Sequence, residues 1–203
     1  MRLPLDPANV KGFLDPTEGE ALYSTALRQA SLGPCVEIGA YCGKSTLYLG
    51  AACKAAGGVL FSIDHHRGSE ENQPGWEWHD ADLWDAQASA LDSLPTFRRT
   101  VHAADLENTV IAVVGRSATI ARCWSTPIAF LFIDGGHTTE AASADYEGWA
   151  PRLIAGGVLA IHDVFPNPAD GGRPPFEIYQ RALASGDFEE IAAVKSLRLL
   201  RRR

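Results

Sequence analysis

Residues 35–46 read Cys-Val-Glu-Ile-Gly-Ala-Tyr-Cys-Gly-Lys-Ser-Thr, which brings an acid, two glycines and a helix start into one short stretch. An apolar run with a single acid, Cys35 to Ile38, leads into Gly39, and Gly43 follows four residues later. Ser45 and Thr46 then open a helical pattern carried by Leu47, Leu49, Ala51 and Ala52. That order is strand, glycine turn, helix. Glycine lets backbone approach a ligand where a Cβ would collide. The helix start aims free N–H groups at the same ligand. Glu37 makes the turn selective, because a carboxylate repels phosphate and suits a ligand carrying an ammonium or hydroxyls. The spacing is that of neither common nucleotide loop. A P-loop has four residues between its glycines, and Gly39 and Gly43 enclose three. A dinucleotide fingerprint needs Gly-x-Gly-x-x-Gly, and Tyr41 and Lys44 stand at its second and third glycines.

The elements that must position this stretch alternate between two periods. Residues 17–32 repeat Leu22, Ala26, Leu27 and Ala30 at helical spacing, with Thr17 and Glu20 as a capping box. Strand one is 35–39 and its helix 45–56, ended by Gly57-Gly58. Residues 59–64 read as strand two, 65–80 as a polar loop, 81–94 as a helix and 100–103 as strand three. Leu106–Val114 reads as either helix or strand. Ser117–Trp124 reads as a helix, Ile128–Asp134 as a strand, Thr138–Leu153 as a helix and Val158–Asp163 as a strand. A Pro- and Gly-rich loop spans 164–175, followed by a helix at 176–185 and closing strands at 188–194 and 197–202.

Apolar strands alternating with helices predict a parallel sheet covered on both faces. Ligands of such sheets sit beyond the C-terminal strand ends, near the switch in strand order. That rule singles out Glu37 to Gly39, Asp64, Asp134 and Asp163. One strand-ending Asp is ordinarily a helix cap. Three of them, all at the ligand edge, point to a site.

The 203 residues predict one domain, 46% hydrophobic and 21% charged. A net charge of −7 argues against nucleic acid and anionic membrane as partners. Arg201-Arg202-Arg203 reads as a frayed tail. No apolar run approaches the roughly 20 residues of a membrane span, and the N-terminus lacks a secretion signal. The expected location is the cytoplasm. The four cysteines, Cys35, Cys42, Cys53 and Cys123, have no Cys-x-x-Cys spacing and read as small buried residues rather than disulfides or zinc ligands.

From about residue 17 to its end the chain resembles a class I S-adenosylmethionine-dependent methyltransferase. The pieces that carry the resemblance are Val-Glu-Ile-Gly-Ala-Tyr-Cys-Gly-Lys-Ser-Thr at 36–46, Ser-Ile-Asp at 62–64 and Phe-Ile-Asp-Gly-Gly-His at 132–137. Asp145-Tyr146, Trp149 and Gly-Gly-Val-Leu-Ala-Ile-His-Asp at 156–163 complete them. The branch it is most similar to holds the sugar O-methyltransferases, including those acting on macrolide sugars and on mycobacterial methylmannose oligosaccharides. The implied fold is α/β and Rossmann-like, a mostly parallel seven-stranded sheet with helices on both faces.

The resemblance also implies roles. Asp64 would grip the cofactor's ribose hydroxyls, Glu37 and Gly39 would line its methionine part, Ile38, Gly43, Ser45 and Asp134 would also bind the cofactor, and Gly115 and Ser117 would lie near its adenine. Asp134, His162 and Asp163 would hold magnesium, and His137 would be the general base, in the Asp-x-x-His spacing. His162 replaces the usual carboxylate, which admits manganese as an alternative. A divalent ion binds substrate hydroxyls and lowers their pKa, and imidazole titrates near neutrality. The implied acceptor is a small polar molecule, a sugar or oligosaccharide. The 65–80 loop, with His65, His66, Arg67, Glu70, Glu71, Trp76, Trp78 and His79, is then a lid or acceptor site. Residues 1–16 form an arm that covers the site or a neighbouring subunit of a homodimer. A catechol-type enzyme, a non-catalytic cofactor binder and a nucleotide-dependent oxidoreductase are the competing readings; the strand-end acids oppose the second and the glycine spacing the third. A zinc site from His65, His66 and His79 lacks cysteine partners.

Overall fold

The computed structural model describes residues 2–76, 78–167 and 169–203. Met1 of the arm, Glu77 of the 65–80 loop and Pro168 of the 164–175 loop lie outside the described residues. In chain order the main elements are α1 (Pro16–Gln29), β1 (Cys35–Ile38), α2 (Lys44–Ala56), β2 (Leu60–Asp64), β3 (Trp84–Asp85), β4 (Ala90–Leu91) and α3 (Leu94–Ala103). Then come β5 (Val110–Val114), α4 (Ser117–Ala121), β6 (Ile128–Ile133), α5 (Thr139–Trp149), β7 (Leu153–Ile161), α6 (Pro174–Ala184), β8 (Phe188–Val194) and β9 (Leu197–Arg202).

Seven strands form one sheet in the order β5-β2-β1-β6-β7-β9-β8. β1 runs parallel to both β2 and β6, β5 is parallel to β2 and β7 to β6, while β9 is antiparallel to β7 and to β8. The chain builds outward from β1 to β5, then returns to β6 on the other side of β1. The switch in strand order therefore falls between β1 and β6, where a ligand crevice opens.

Side chains on a strand alternate between faces, and both faces here are buried. Phe130 and Phe132 of β6 join Leu22 and Ala26 of α1, Leu47 of α2, and Phe97 and Val101 of α3. Leu131 and Ile133 turn to the other face, against Ala142, Tyr146 and Trp149 of α5 and Ile178 and Ala182 of α6. This two-sided burial explains why β6 reads as an unbroken apolar run rather than an alternating one. Among the described residues, no helix is long and apolar enough to cross a membrane.

Six expectations need correction. Arg201-Arg202-Arg203 is no frayed tail: Arg201 and Arg202 pair with Glu189 and Phe188 of β8, and Arg203 N donates to Asp187 O at 2.8 Å. Of the cysteines, Cys35, Cys42 and Cys53 are buried but Cys123 is exposed. The 81–94 helix is instead a short 3-10 turn followed by the β3–β4 hairpin, with Trp84 opposite Leu91. The 100–103 strand is the end of α3, and the third strand in sequence to join the main sheet is β5 at 110–114. Pro95 is the reason: it sits in the first turn of α3, where proline's missing N–H is harmless, so it starts a helix rather than ending one. The last helix before β7 stops at Trp149, because Pro151 belongs to a 3-10 turn and Leu153 already pairs with Ile128. Finally, α1 is capped by Asp15, which accepts from Thr17 N at 2.8 Å, and not by Thr17 with Glu20.

Candidate active site

The glycine turn joins β1 to α2 at the switch point. Gly39 has φ +89°, and a Cβ there would lie 1.9 Å from the Asp134 carbonyl oxygen. The absence of a side chain is thus demanded first by the end of β6, which packs directly on the turn. Gly43 caps α2 with φ +93° and no side-chain cap bond, so the helix start keeps its free N–H groups. Lys44 Nζ donates to Gly12 O at 2.9 Å, drawing the N-terminal arm over the turn. Ile38 and Ser45 are buried beside it.

Glu37 is fully buried. Its Oε2 accepts from Thr46 Oγ1 at 2.7 Å and Ser62 Oγ at 2.6 Å. Among the described residues its Oε1 has no hydrogen-bond partner. Burial pushes its pKa up to about 7, against the pull of the Ser45, Ser62 and Thr46 hydroxyls. Asp64 is differently placed. Its Oδ2 accepts from Ala40 N at 3.0 Å and Tyr41 N at 2.8 Å, and its Oδ1 from His66 N at 2.7 Å. It pins the turn to β2. A carboxylate offers about four acceptor positions, so some capacity remains for a ligand. Gly115 N donates to the Asp64 carbonyl at 3.0 Å, which sets the start of α4 beside β2. Ser117 Oγ accepts from Trp149 Nε1 at 2.8 Å.

On the other side of the switch, β6 and β7 bring together the residues that follow them. His162 Nδ1 lies 3.1 Å from Asp134 Oδ1 and 3.3 Å from Asp163 Oδ2. Its Nε2 lies 3.0 Å from Glu18 Oε2. Burial opposes a charge on this ring, but the Asp134, Asp163 and Glu18 carboxylates outweigh it and raise its pKa far above the ordinary value. His137 Nε2 is 3.2 Å from Asp163 Oδ2, and its Nδ1 is 3.4 Å from Glu71 Oε2. The Asp163 hydrogen bond outweighs burial and, helped by Glu71 and Asp134, raises the His137 pKa above 6.5. Asp163 itself holds φ +54°, in the left-handed region.

The predicted site residues thus fall into two adjoining groups, Glu37 to Ser45 with Asp64 on one side and Asp134, His137, His162 and Asp163 on the other. The histidines of the 65–80 loop do not converge. His66 bonds Ser93 Oγ, His79 bonds Asn72 O, and His65 accepts from Arg67 N. Among the described residues, the cluster of side chains able to hold a metal ion is Asp134, His162 and Asp163, with ligand atoms within 4.8 Å of one another. Phe13 of the arm meets Trp78 edge-on at 5.1 Å and Tyr41 of the glycine turn at 6.0 Å. Lys11 pairs with Asp80 and Asp82. Arm and loop are therefore joined over the turn.

Sequence alone does not single out Glu18 or Phe13, and it marks Glu71 only as one polar residue of the 65–80 loop. Glu18 carries a signal: it lies four and eight residues before Leu22 and Ala26, on the stripe that α1 buries. A charge on a buried stripe needs a partner, and His162 is that partner. Phe13 and the pairing of Glu71 with His137 carry none, since these contacts are made by irregular chain.

Residues 36–164 match the family described as "Methyltransferase domain". The fold is also that of several solved structures. Cofactor-bound Rv0187 from MTB superposes with TM-score 0.67 at 17% identity, over 97% of this chain and 84% of that one. The O-methyltransferase from Bacillus cereus in complex with SAH gives TM-score 0.65 at 16% identity, over 97% and 86%. The O-methyltransferase NovP gives 0.69 at 17%, over 91% and 79%. The family match spans well over half of the chain and ends at residue 164, just past His162 and Asp163, which follow β7. The chain belongs to the methyltransferase family, in its class I Rossmann-like form.

Proposed function

We propose that the protein is an S-adenosylmethionine-dependent O-methyltransferase, assisted by a divalent ion, whose acceptor is a hydroxyl of a sugar or oligosaccharide. The observation that carries the reading is the convergence, across one strand switch, of a glycine turn and a separate acid–histidine cluster. The first is built to hold a cofactor, the second to handle a hydroxyl.

The turn fits the cofactor. Glu37 Oε1 is a buried acceptor without a partner, and a cationic ligand beside it would favour its charged form. The α2 start suits the methionine carboxylate, Asp64 has acceptor capacity left for the ribose, and Gly115 and Ser117 stand at the adenine end. The Bacillus cereus O-methyltransferase of the same fold is in complex with SAH, which agrees with this choice. S-adenosylmethionine supplies a methyl group already activated by its sulfonium.

The cluster fits a divalent ion. An octahedral ion with ligands at about 2.1 Å sets neighbouring ligands about 3 Å apart. The His162 nitrogen and the two carboxylate oxygens are spaced at 3.1 and 3.3 Å. A nitrogen beside two carboxylates admits manganese as well as magnesium. The ion supplies Lewis acidity toward the acceptor hydroxyl. His137 takes the hydroxyl proton at Nε2, and Glu71 steadies the proton on Nδ1. Exposed aromatic rings at the arm and loop, Phe13 at 63% and Trp78 at 47% exposure, offer faces on which a sugar ring stacks.

The test is a transfer assay with methyl-labelled S-adenosylmethionine against a panel of mono- and oligosaccharides and catechols, with magnesium or with EDTA. The expected result is label on a carbohydrate hydroxyl and none in EDTA. Label on catechols alone would reassign the acceptor, and full turnover in EDTA would remove the ion.

A further inference from the structure

Glu18 lies 144 residues before His162 in sequence and reaches the ring from α1. It is 3% exposed. Its two oxygens are used by different partners. Oε1 accepts from Ser196 N at 2.9 Å and Ser196 Oγ at 2.8 Å of the β8–β9 turn and from Leu197 N at 3.2 Å at the start of β9. Oε2 faces His162 Nε2 alone among the described residues. The carboxylate is therefore rigid, with one oxygen anchored by three donors and the other aimed at the ring.

An imidazole nitrogen ligates a metal only through a lone pair, and the tautomer is set by the bond the other nitrogen makes. Resting on the metal reading above, we propose that Glu18 is the positioning residue of that site. Its Oε2 accepts a hydrogen bond from the Nε2 proton of His162, so that the nitrogen the ring can give up to an ion is Nδ1, which faces Asp134 and Asp163. The arrangement makes a carboxylate–histidine pair behind the ion, with α1 and the β8–β9 turn as its rigid mount. It explains why a buried helix stripe carries a glutamate, and how a histidine serves where a carboxylate would need no such control.

Glu18→Gln tests this with almost no change in shape. The three donors from Ser196 and Leu197 hold the amide oxygen, so the amide NH2 turns toward His162. Nε2 must then accept, and the ring proton moves to Nδ1, between Asp134 and Asp163. Manganese binding, followed by electron paramagnetic resonance without acceptor or turnover, should weaken by about 10–100-fold, the usual cost of losing such a partner. SAH affinity should stay at the wild-type value. Nitrogen-15 histidine spectra of the magnesium-loaded wild type should show His162 protonated at Nε2 with Nδ1 shifted by the ion. That measurement decides the matter even where the variant folds poorly. Equal manganese affinity in Glu18→Gln, or a His162 protonated at Nδ1 in the loaded wild type, overturns the proposal. A wild type that binds SAH but no manganese removes the metal site and this proposal, while leaving the methyltransferase reading intact. A wild type that binds neither removes both.

Discussion

Asp64 and Asp134 end the apolar stretches on either side of β1 and look alike in sequence, yet their surroundings differ. The Asp64 carboxylate meets three backbone N–H groups from Ala40, Tyr41 and His66. Its charge is spread over neutral donors that shape a turn. The Asp134 carboxylate meets the His162 ring, with Asp163 and Glu18 on the same ring. Here the acids outnumber the cations, so the cluster calls for more positive charge. On the proposed function, the same residue type at the same kind of strand end shapes a cofactor cradle on one side of the switch and concentrates charge for acceptor chemistry on the other.

If that division holds, damage to the two halves separates. The largest effect belongs to the charge cluster. Chelation should abolish turnover, and Asp163→Ala should lower it by about 10³-fold, because the loss of a metal's Lewis acidity costs several kcal/mol. Rates with and without added magnesium check this, and a variant of near-normal rate would place the chemistry elsewhere. His137→Ala comes next, with turnover down by about 10²–10⁴-fold, the range for losing general-base help. The base must be neutral to accept a proton, and Asp163 and Glu71 raise the His137 pKa above 6.5. Wild-type activity should therefore climb as pH rises through a limb above 6.5, and the variant should lack that limb.

The smallest effect belongs to a buried acid outside both halves. Burial raises Asp145 from 3.8 to about 6. The folded state then binds its proton more tightly than the unfolded chain does. Stability from this group is full below the unfolded value and is lost as pH climbs toward 6. A shift of that size corresponds to about 3 kcal/mol. Asp145→Asn should gain on the wild type by up to that amount between pH 4 and pH 7, read from denaturant midpoints at each pH. A gap that stays constant with pH would mean that Asp145 is charged when folded.

Much of this is legible in the sequence, and what is not has physical causes. β1, β2, β6 and the closing pair β8–β9 are readable; the three parallel strands among them are buried apolar runs with glycine or aspartate at their ends. The 81–103 region deceives because Pro95 signals both an end and a beginning, and only packing decides which. Tertiary contacts also settle Leu106–Val114, since its strand half becomes an edge partner of β2. The Asp-x-x-His of Asp134 and His137 is visible as a spacing. Glu18 shows only as a charge on a buried stripe, because its partner lies 144 residues away. The partners of Asp64 are equally hidden, since they are backbone groups that no side-chain pattern announces.

The most direct measurement is calorimetric titration of SAH into the wild type, Asp64→Ala and Asp163→Ala. The predicted result is binding to the wild type and affinity lower by roughly 10–100-fold in Asp64→Ala, from charge-assisted hydrogen bonds worth about 1.5–3 kcal/mol. Asp163→Ala should keep near wild-type affinity. No binding to the wild type, or affinity that survives in Asp64→Ala and collapses in Asp163→Ala, would contradict the division into cradle and cluster.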